Sequence, residues 1–117
     1  MDLCSKNATY IGIYIDSILK DGKEEPLAIQ NLKDCIEFYS SALEDVQEAM
    51  REFSSKYYAE AFNHMNGAWI WADTCKQGFI DLDVDFSLLK KQDNDFVQLI
   101  MISTSIIAII RGPIFLQ

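Results

Sequence analysis

Apolar residues recur at alternating steps of three and four along three stretches of the chain. This spacing is typical of amphipathic helices that pack along narrow seams in a bundle. No stretch alternates with the period of two that a half-buried strand would show over more than a few residues. The three sets are Cys4, Ala8, Ile11, Ile15 and Ile18; Leu32, Cys35, Tyr39, Ala42, Val46, Ala49 and Phe53; and Tyr58, Ala61, Met65, Ala68, Ala72, Cys75, Phe79 and Leu82.

A fourth segment, residues 96–111, is apolar on nearly all sides, so its periodicity cannot distinguish a helix from a strand. Asp95 followed three residues later by Gln98 resembles a capping box, with Asp93 and Asn94 as alternative caps. The run Arg111-Gly112-Pro113 is a helix stop signal. These signals favour a helix.

The sequence thus predicts four helices, at about 2–20, 27–53, 56–80 and 95–111. The breaks at 20–26 and 54–56 are short, and we expect 81–94 to be the longest loop. Short connections favour an up-and-down four-helix bundle, an all-α fold. A length of 117 residues suits one domain, covering 1–117.

Acidic residues outnumber basic ones by 18 to 10, which gives a net charge of −8. Residues 24–60 hold nine acids and three bases, so six of the eight excess charges lie there. Such a chain repels nucleic-acid phosphates and anionic lipids, and a basic partner becomes plausible. The longest apolar run, Leu99–Ile110, is shorter than the roughly 20 residues that span a bilayer. We therefore expect no nucleic-acid or membrane partner.

Cys35 and Cys75 lie on the facing seams of the second and third helices. Cys35 is 20 residues before Ser55 and Cys75 is 20 residues after it, so an antiparallel hairpin brings them to the same level. We favour a disulfide between them, with two buried thiols as the alternative. Cys4 is left over and is expected to be a buried seam residue.

Residues that could carry chemistry are few. The single histidine, His64, stands off the seam and is expected to be solvated. The acidic run 81–85 begins like a calcium loop but lacks the glycine and the final glutamate, having Phe86 and Gln92 instead. We therefore expect no metal, no cofactor and no enzymatic activity. Asn7 starts a glycosylation triplet that would be used only if the chain is secreted.

Two tryptophans stand two residues apart in the third predicted helix, at Trp69 and Trp71. One narrow seam cannot bury both together with the Ile70 between them. We expect Trp69 to flank the seam and Trp71 to be exposed, where an aromatic side chain favours contact with a partner. Broader core packing is an equal alternative for Trp69.

With the hairpin placed, the chain resembles the plant invertase/pectin methylesterase inhibitor family. Four stretches and the cysteine spacing carry the resemblance, which covers nearly all of residues 32–111. The nearest subgroup resembles pollen proteins described as invertase inhibitors. The stretches are Leu32–Ala42, with the family pattern Leu-x-Asp-Cys-x-x-x-Tyr-x-x-Ala; Tyr58–Ala61 leading to Met65; Thr74–Phe79; and Asn94–Leu99 followed by Ile102-Ser103 and Ile106–Ile110.

The resemblance implies a secreted protein of the plant cell wall that inhibits an enzyme by covering its active-site cleft. Invertase-type members carry Pro-Lys-Phe where this chain has Lys56-Tyr57-Tyr58. Pectin methylesterase is therefore the expected target, with an invertase inhibitor or a non-inhibitory degenerate bundle as alternatives. We expect contact through the polar side of the second and third helices. The candidate contact residues are Glu37, Ser40, Glu44, Glu48, Asn63, Gly67 and Trp71.

Family members also begin with a secretory signal and a small helical hairpin, and neither is recognisable before the first predicted helix. The sequence therefore resembles an N-terminally truncated member, and the extracellular location is an expectation from the family alone. An intracellular interaction module is the alternative. Without the hairpin, we expect apolar surface of the fourth helix to be exposed and the chain to be marginally stable or to self-associate.

Overall fold

The computed structural model describes residues 1–112, and these form four antiparallel helices connected by short turns. The result confirms the predicted all-α bundle, and three of the four helices lie within two residues of their predicted bounds. The helices are α1 (Asp2–Asp21), α2 (Pro26–Ser54), α3 (Tyr58–Asp81) and α4 (Ser87–Arg111).

The helix ends show why the chain turns where it does. Gly22 closes α1 in the left-handed conformation, at φ 67°, and its N–H bonds to the carbonyl of Leu19. Pro26 occupies the first turn of α2, where its missing N–H costs nothing. Lys56, in the turn between α2 and α3, also adopts a positive φ of 67°.

The core consists of the predicted seams. Nearly every residue of the three periodic sets is buried, with Ile18, Phe53 and Tyr58 partly buried at the helix ends. Leu82 is the exception, because it lies beyond the end of α3 and is exposed. The buried seam of α4 comprises Leu89, Asp93, Phe96, Ile100, Ser103 and Ile107.

The predicted start of α4 is wrong by eight residues: the helix begins at Ser87, so the loop shrinks to 82–86. The carboxylate of Asp85 accepts hydrogen bonds from the Ser87 N–H at 2.9 Å and from its hydroxyl at 2.8 Å, and so satisfies a free donor of the first turn. Asp95 is no cap. It lies within the helix and pairs with Lys91 at 2.7 Å.

Asp93, an alternative cap in the sequence, is instead buried inside the bundle. The Tyr39 hydroxyl donates a 2.7 Å hydrogen bond to its Oδ1, which ties α2 to α4. Phe96 packs edge-on against the Tyr39 ring, with centroids 5.4 Å apart. Burial raises the pKa of Asp93, and the Tyr39 hydrogen bond only partly opposes this. Burial and the neighbouring Asp93 also raise the pKa of Tyr39.

The predicted disulfide is confirmed. Cys35 and Cys75 are bonded, with Cα atoms 5.0 Å apart, and Cys4 is free and buried. The Cys4 sulfur lies 3.5 Å from the Ser103 hydroxyl, between α1 and α4.

Replacing both bonded cysteines, as Cys35→Ala with Cys75→Ala, should lower the free energy of unfolding by about 4 kcal/mol, because the bond restricts the unfolded chain. Urea denaturation measures the loss. Reductant should destabilise the native chain by a similar amount and leave the double variant unchanged. Peptide mapping without reduction should link the two cysteine fragments, and a main linkage through Cys4 would contradict the pairing.

The stability of the bundle should fall as the Asp93 carboxyl ionises. The pKa of Asp93 is higher in the folded chain than in the unfolded chain. The neutral carboxyl therefore contributes fully to the stability of the folded state below the unfolded pKa of Asp93. This contribution is lost as the pH rises through the folded pKa. Asp93→Asn keeps an acceptor for Tyr39 but does not ionise. This variant should therefore gain stability relative to the native chain between about pH 4 and about pH 8, in urea titrations at each pH.

Asp95→Asn is the matched control, because Asp95 is exposed on the same helix. It should change stability by less than about 0.5 kcal/mol at either pH. A difference between Asp93→Asn and the native chain that stays constant with pH would contradict the argument.

Candidate partner-binding face

All of the predicted contact residues belong to α2 and α3, which pack side by side as a hairpin. One row of α2 side chains, spaced seven residues apart, lies along the edge that borders α3. That row consists of Asn31, Phe38, Asp45 and Glu52, and each member contacts a residue of α3. We call this line of contacts the hairpin seam. It forms the floor of the candidate face.

Trp71 lies in the hairpin seam and is half-buried, so its predicted exposure is wrong. Its ring stacks on Phe38, with centroids 5.8 Å apart and planes 22° from parallel. The indole Nε1 donates a 3.1 Å hydrogen bond to the Asp45 carboxylate. Trp69 is the more exposed of the two, at 41%.

Gly67 leaves the space that the Asp45 carboxylate occupies. A Cβ at this position would lie 2.7 Å from the Asp45 Oδ2, closer than side chains tolerate. The same Oδ2 accepts the hydrogen bond from Trp71. Burial raises the pKa of Asp45, while the nearby His64 and the Trp71 hydrogen bond act in the opposite direction. The role of Gly67 is therefore to admit a carboxylate to the seam.

His64 is paired rather than solvated, contrary to the prediction. Its Nδ1 lies 2.6 Å from the Glu52 carboxylate, which is only 15% exposed. Partial burial lowers the pKa of His64, but the hydrogen bond and charge of Glu52, with help from Asp45, raise it overall. The pair therefore joins α2 to α3 most firmly when His64 is protonated.

A second row of α2, pointing outward, carries most of the predicted contact residues. Glu37, Ser40 and Glu44 are exposed, and Glu48 is partly exposed. Arg51 donates from its Nε to Glu48 at 3.0 Å, and this lowers the Glu48 pKa. The outward row is therefore a negative stripe beside the hairpin seam.

On α3, Asn63 is exposed. Gly67 and Trp71 lie in the hairpin seam, where both are next to Asp45. The structure thus places two of the seven predicted residues in the seam and leaves the other five exposed or partly exposed on α2 and α3. Sequence reasoning missed Phe38, Asp45, Glu52 and His64. A recurring step of seven from Asn31 to Glu52 was the signal that could have located the α2 part of the seam.

Asn7, the proposed glycan acceptor, lies within α1. Its side chain is half-buried, and its Oδ1 is buried without a hydrogen-bond partner among residues 1–112. Glycosylation acceptors are typically in surface loops. Modification of Asn7 stays a prediction that its helical position does not favour.

Comparisons with known proteins converge on one family. The family described as plant invertase/pectin methylesterase inhibitor matches residues 1–106. Two curated proteins named "Putative invertase inhibitor", from Platanus acerifolia and Platanus orientalis, are each 36% identical over 105 residues, or 90% of this chain. The match spans only 58% and 61% of their own lengths.

A solved structure shares the fold. The crystal structure of a pectin methylesterase inhibitor from Arabidopsis thaliana superposes with a TM-score of 0.79 at 24% identity. The superposition covers 91% of this chain and 70% of that protein.

Gly67→Ala should displace the Asp45 carboxylate and break its bond to Trp71. In a Trp69→Phe background, which leaves Trp71 as the only tryptophan, the emission should shift to longer wavelength as the indole is freed. Alanine normally stabilises a helix by up to about 1 kcal/mol over glycine, and the steric conflict should cancel this gain.

Gly12→Ala is the matched control, since nothing lies within 4 Å of a Cβ added there. It should raise the free energy of unfolding by the full difference between alanine and glycine in a helix, without any change in tryptophan fluorescence. Equal stabilisation at both positions would show that Gly67 is not needed to admit Asp45.

Proposed function

The chain belongs to the plant invertase/pectin methylesterase inhibitor family, and from that premise we propose that it inhibits a plant pectin methylesterase. In this proposal the outer face of α2 and α3 covers the substrate cleft of the enzyme. The observation that carries it is the negative stripe of Glu37, Glu44 and Glu48 beside the hairpin seam. Such a stripe favours encounter with a basic enzyme.

The face suits inhibition because it is held rigid before binding. A disulfide, a stacked pair of aromatic rings and two side-chain contacts to carboxylates, His64 to Glu52 and Trp71 to Asp45, join α2 to α3. A surface that is already ordered loses little conformational entropy when it binds, so more of the contact energy appears as affinity. Inhibition of this kind requires no catalytic group, and the family is named for inhibitors.

The α2–α3 turn favours pectin methylesterase over invertase as the target. At the position of the Pro-Lys-Phe motif of invertase-type members, Lys56 holds a positive φ, Tyr57 is exposed and Tyr58 begins α3. Tyr58 packs edge-on against Phe53, with centroids 5.4 Å apart. Each tripeptide carries one lysine, so this surface differs from the motif in the position of its charge and in lacking the proline.

An invertase is the second candidate target. It is favoured by the names of the two Platanus relatives, which describe invertase inhibition at 36% identity. We place either activity outside the cell, in the plant cell wall. The disulfide supports this location, because such bonds persist mainly in oxidising compartments.

Charge on the α2 stripe should govern the association rate. Glu44→Lys with Glu48→Lys should slow association with pectin methylesterase by about tenfold at low salt, because the stripe steers the encounter. Surface plasmon resonance at rising ionic strength measures this. The native rate should fall with salt as the screening length drops to about 8 Å.

Asp2→Lys with Asp16→Lys is the matched control, since it makes the same charge change on α1, where both acids form exposed ion pairs. It should slow association much less than the α2 pair does. An equal or larger effect would place the contact face elsewhere.

The target itself is decided by two assays, pectin de-esterification and sucrose hydrolysis, each with and without refolded protein. We expect the first to be blocked and the second to be unaffected. Blocked sucrose hydrolysis with normal pectin de-esterification would assign the chain to invertase. If a folded chain blocks neither, it is a non-inhibitory bundle.

A further inference from the structure

The seam between α1 and α4 is the most weakly closed in the bundle. At one end the Tyr14 hydroxyl donates a 3.0 Å hydrogen bond to the carbonyl of Leu88. Further along, Cys4 meets Ser103. The contacts between α1 and α4 are sparser than those of the other neighbouring helix pairs.

Large apolar side chains lie exposed along both edges of this seam. On α1, Tyr10 stacks on Tyr14, with centroids 6.1 Å apart, and Leu3 lies seven residues before it on the same edge. On α4, the exposed isoleucines continue the row that passes through Leu88. We call this surface the α1/α4 strip: Leu3, Tyr10, Ile102, Ile106, Ile109 and Ile110.

The strip is apolar over its α4 half, since no charged residue occurs from Phe96 to Ile110. The acidic excess of the chain lies in residues 24–60, mainly on α2. In a four-helix bundle α1 and α4 form the side opposite α2 and α3, so the strip faces away from the negative stripe.

We propose that the α1/α4 strip is where two copies of this chain associate. A second copy supplies the same apolar surface, as a two-fold symmetric interface requires. Meeting through the strip also keeps the two acidic α2 faces on opposite sides of the dimer. This reduces the repulsion between the two copies, because residues 24–60 carry six of the eight excess negative charges of each.

The area of the strip is large enough for a dimer interface. Six side chains exposed by about half or more amount to roughly 500–800 Å² of mostly apolar surface per copy, with roughly 150–250 Å² for each large side chain when fully exposed. A standard interface buries about 800 Å² per partner, somewhat over half of it apolar. The strip can therefore form the centre of an interface. Buried area alone does not fix affinity, and with only six side chains contributing we expect dissociation in the micromolar range.

This inference is independent of the target enzyme, because the dimer leaves both α2–α3 faces free. The dimer is then a bivalent inhibitor, and disrupting the strip should leave inhibition intact. Loss of dimerisation and loss of inhibition are therefore separable results.

Sedimentation velocity on the full chain, from low micromolar to several hundred micromolar, tests the proposal. We expect a monomer–dimer equilibrium across that range. Ile102→Lys with Ile106→Lys should weaken dimerisation by about tenfold or more, because two charges enter the interface centre. Ile109→Lys, at a position 79% exposed, provides a milder variant in case the pair fails to fold.

Ile70→Lys with Ile80→Lys is the matched control. These α3 side chains are 56% and 53% exposed, against 56% and 50% for Ile102 and Ile106. The control should leave the dissociation constant nearly unchanged. An equal weakening in both pairs would mean unspecific adhesion and overturn the proposal, as would a chain that stays monomeric throughout.

A membrane surface is the competing occupant, because α4 is long and apolar enough to cross a bilayer by length and composition. Flotation with phosphatidylcholine vesicles separates the two cases. We expect the chain to stay in solution. A monomer that floats with the vesicles would assign the strip to lipid and overturn the dimer.

Discussion

The disulfide between Cys35 and Cys75 sets the register on which the candidate face depends. With the short 55–57 turn it fixes which residues of α2 and α3 stand opposite each other. Phe38 can stack on Trp71, and Asp45 can enter the space at Gly67, only at that register. A slip of one helical turn would move each partner by about 5.4 Å and break both contacts. The face is therefore a consequence of a covalent constraint close to one of its ends.

The other two helices are held by weaker means. Tyr39 reaches across the core from α2 to Asp93, so a buried hydrogen bond joins the hairpin to α4. Removing either partner would leave a buried polar group unsatisfied, which costs about 1–3 kcal/mol. The α1 helix packs mainly on α2 and meets α4 through few contacts. This difference accounts for the apolar strip along the α1/α4 side, while separate isoleucines such as Ile70 and Ile80 are exposed on α3.

Hydrophobic periodicity predicted three helices and their buried seams, and the symmetry about Ser55 predicted the disulfide. The wrong predictions for Asp93, His64 and Trp71 share one physical cause. A side chain with a polar group can lie inside the bundle when a residue distant in sequence supplies its hydrogen-bond partner. Asp93 looked like a helix cap because its neighbours are polar, yet Tyr39, 54 positions away, bonds it within the core. His64 looked solvated because Glu52 lies on another helix. Trp71 looked exposed because its acceptor, Asp45, is also on α2.

A disulfide joins α2 to α3, whereas α1 and α4 share few contacts, so the two sides of the bundle should differ in mobility. Local opening costs least where few buried contacts must be broken, and that place is the α1/α4 seam. An opening there moves α1 or the end of α4 but does not require α2 to leave α3, because the disulfide and the hairpin seam join them. The negative stripe and the seam floor can therefore keep their shape while the opposite side of the bundle fluctuates. In this small domain, the covalent link between two of the four helices is therefore what keeps the candidate face in a fixed shape.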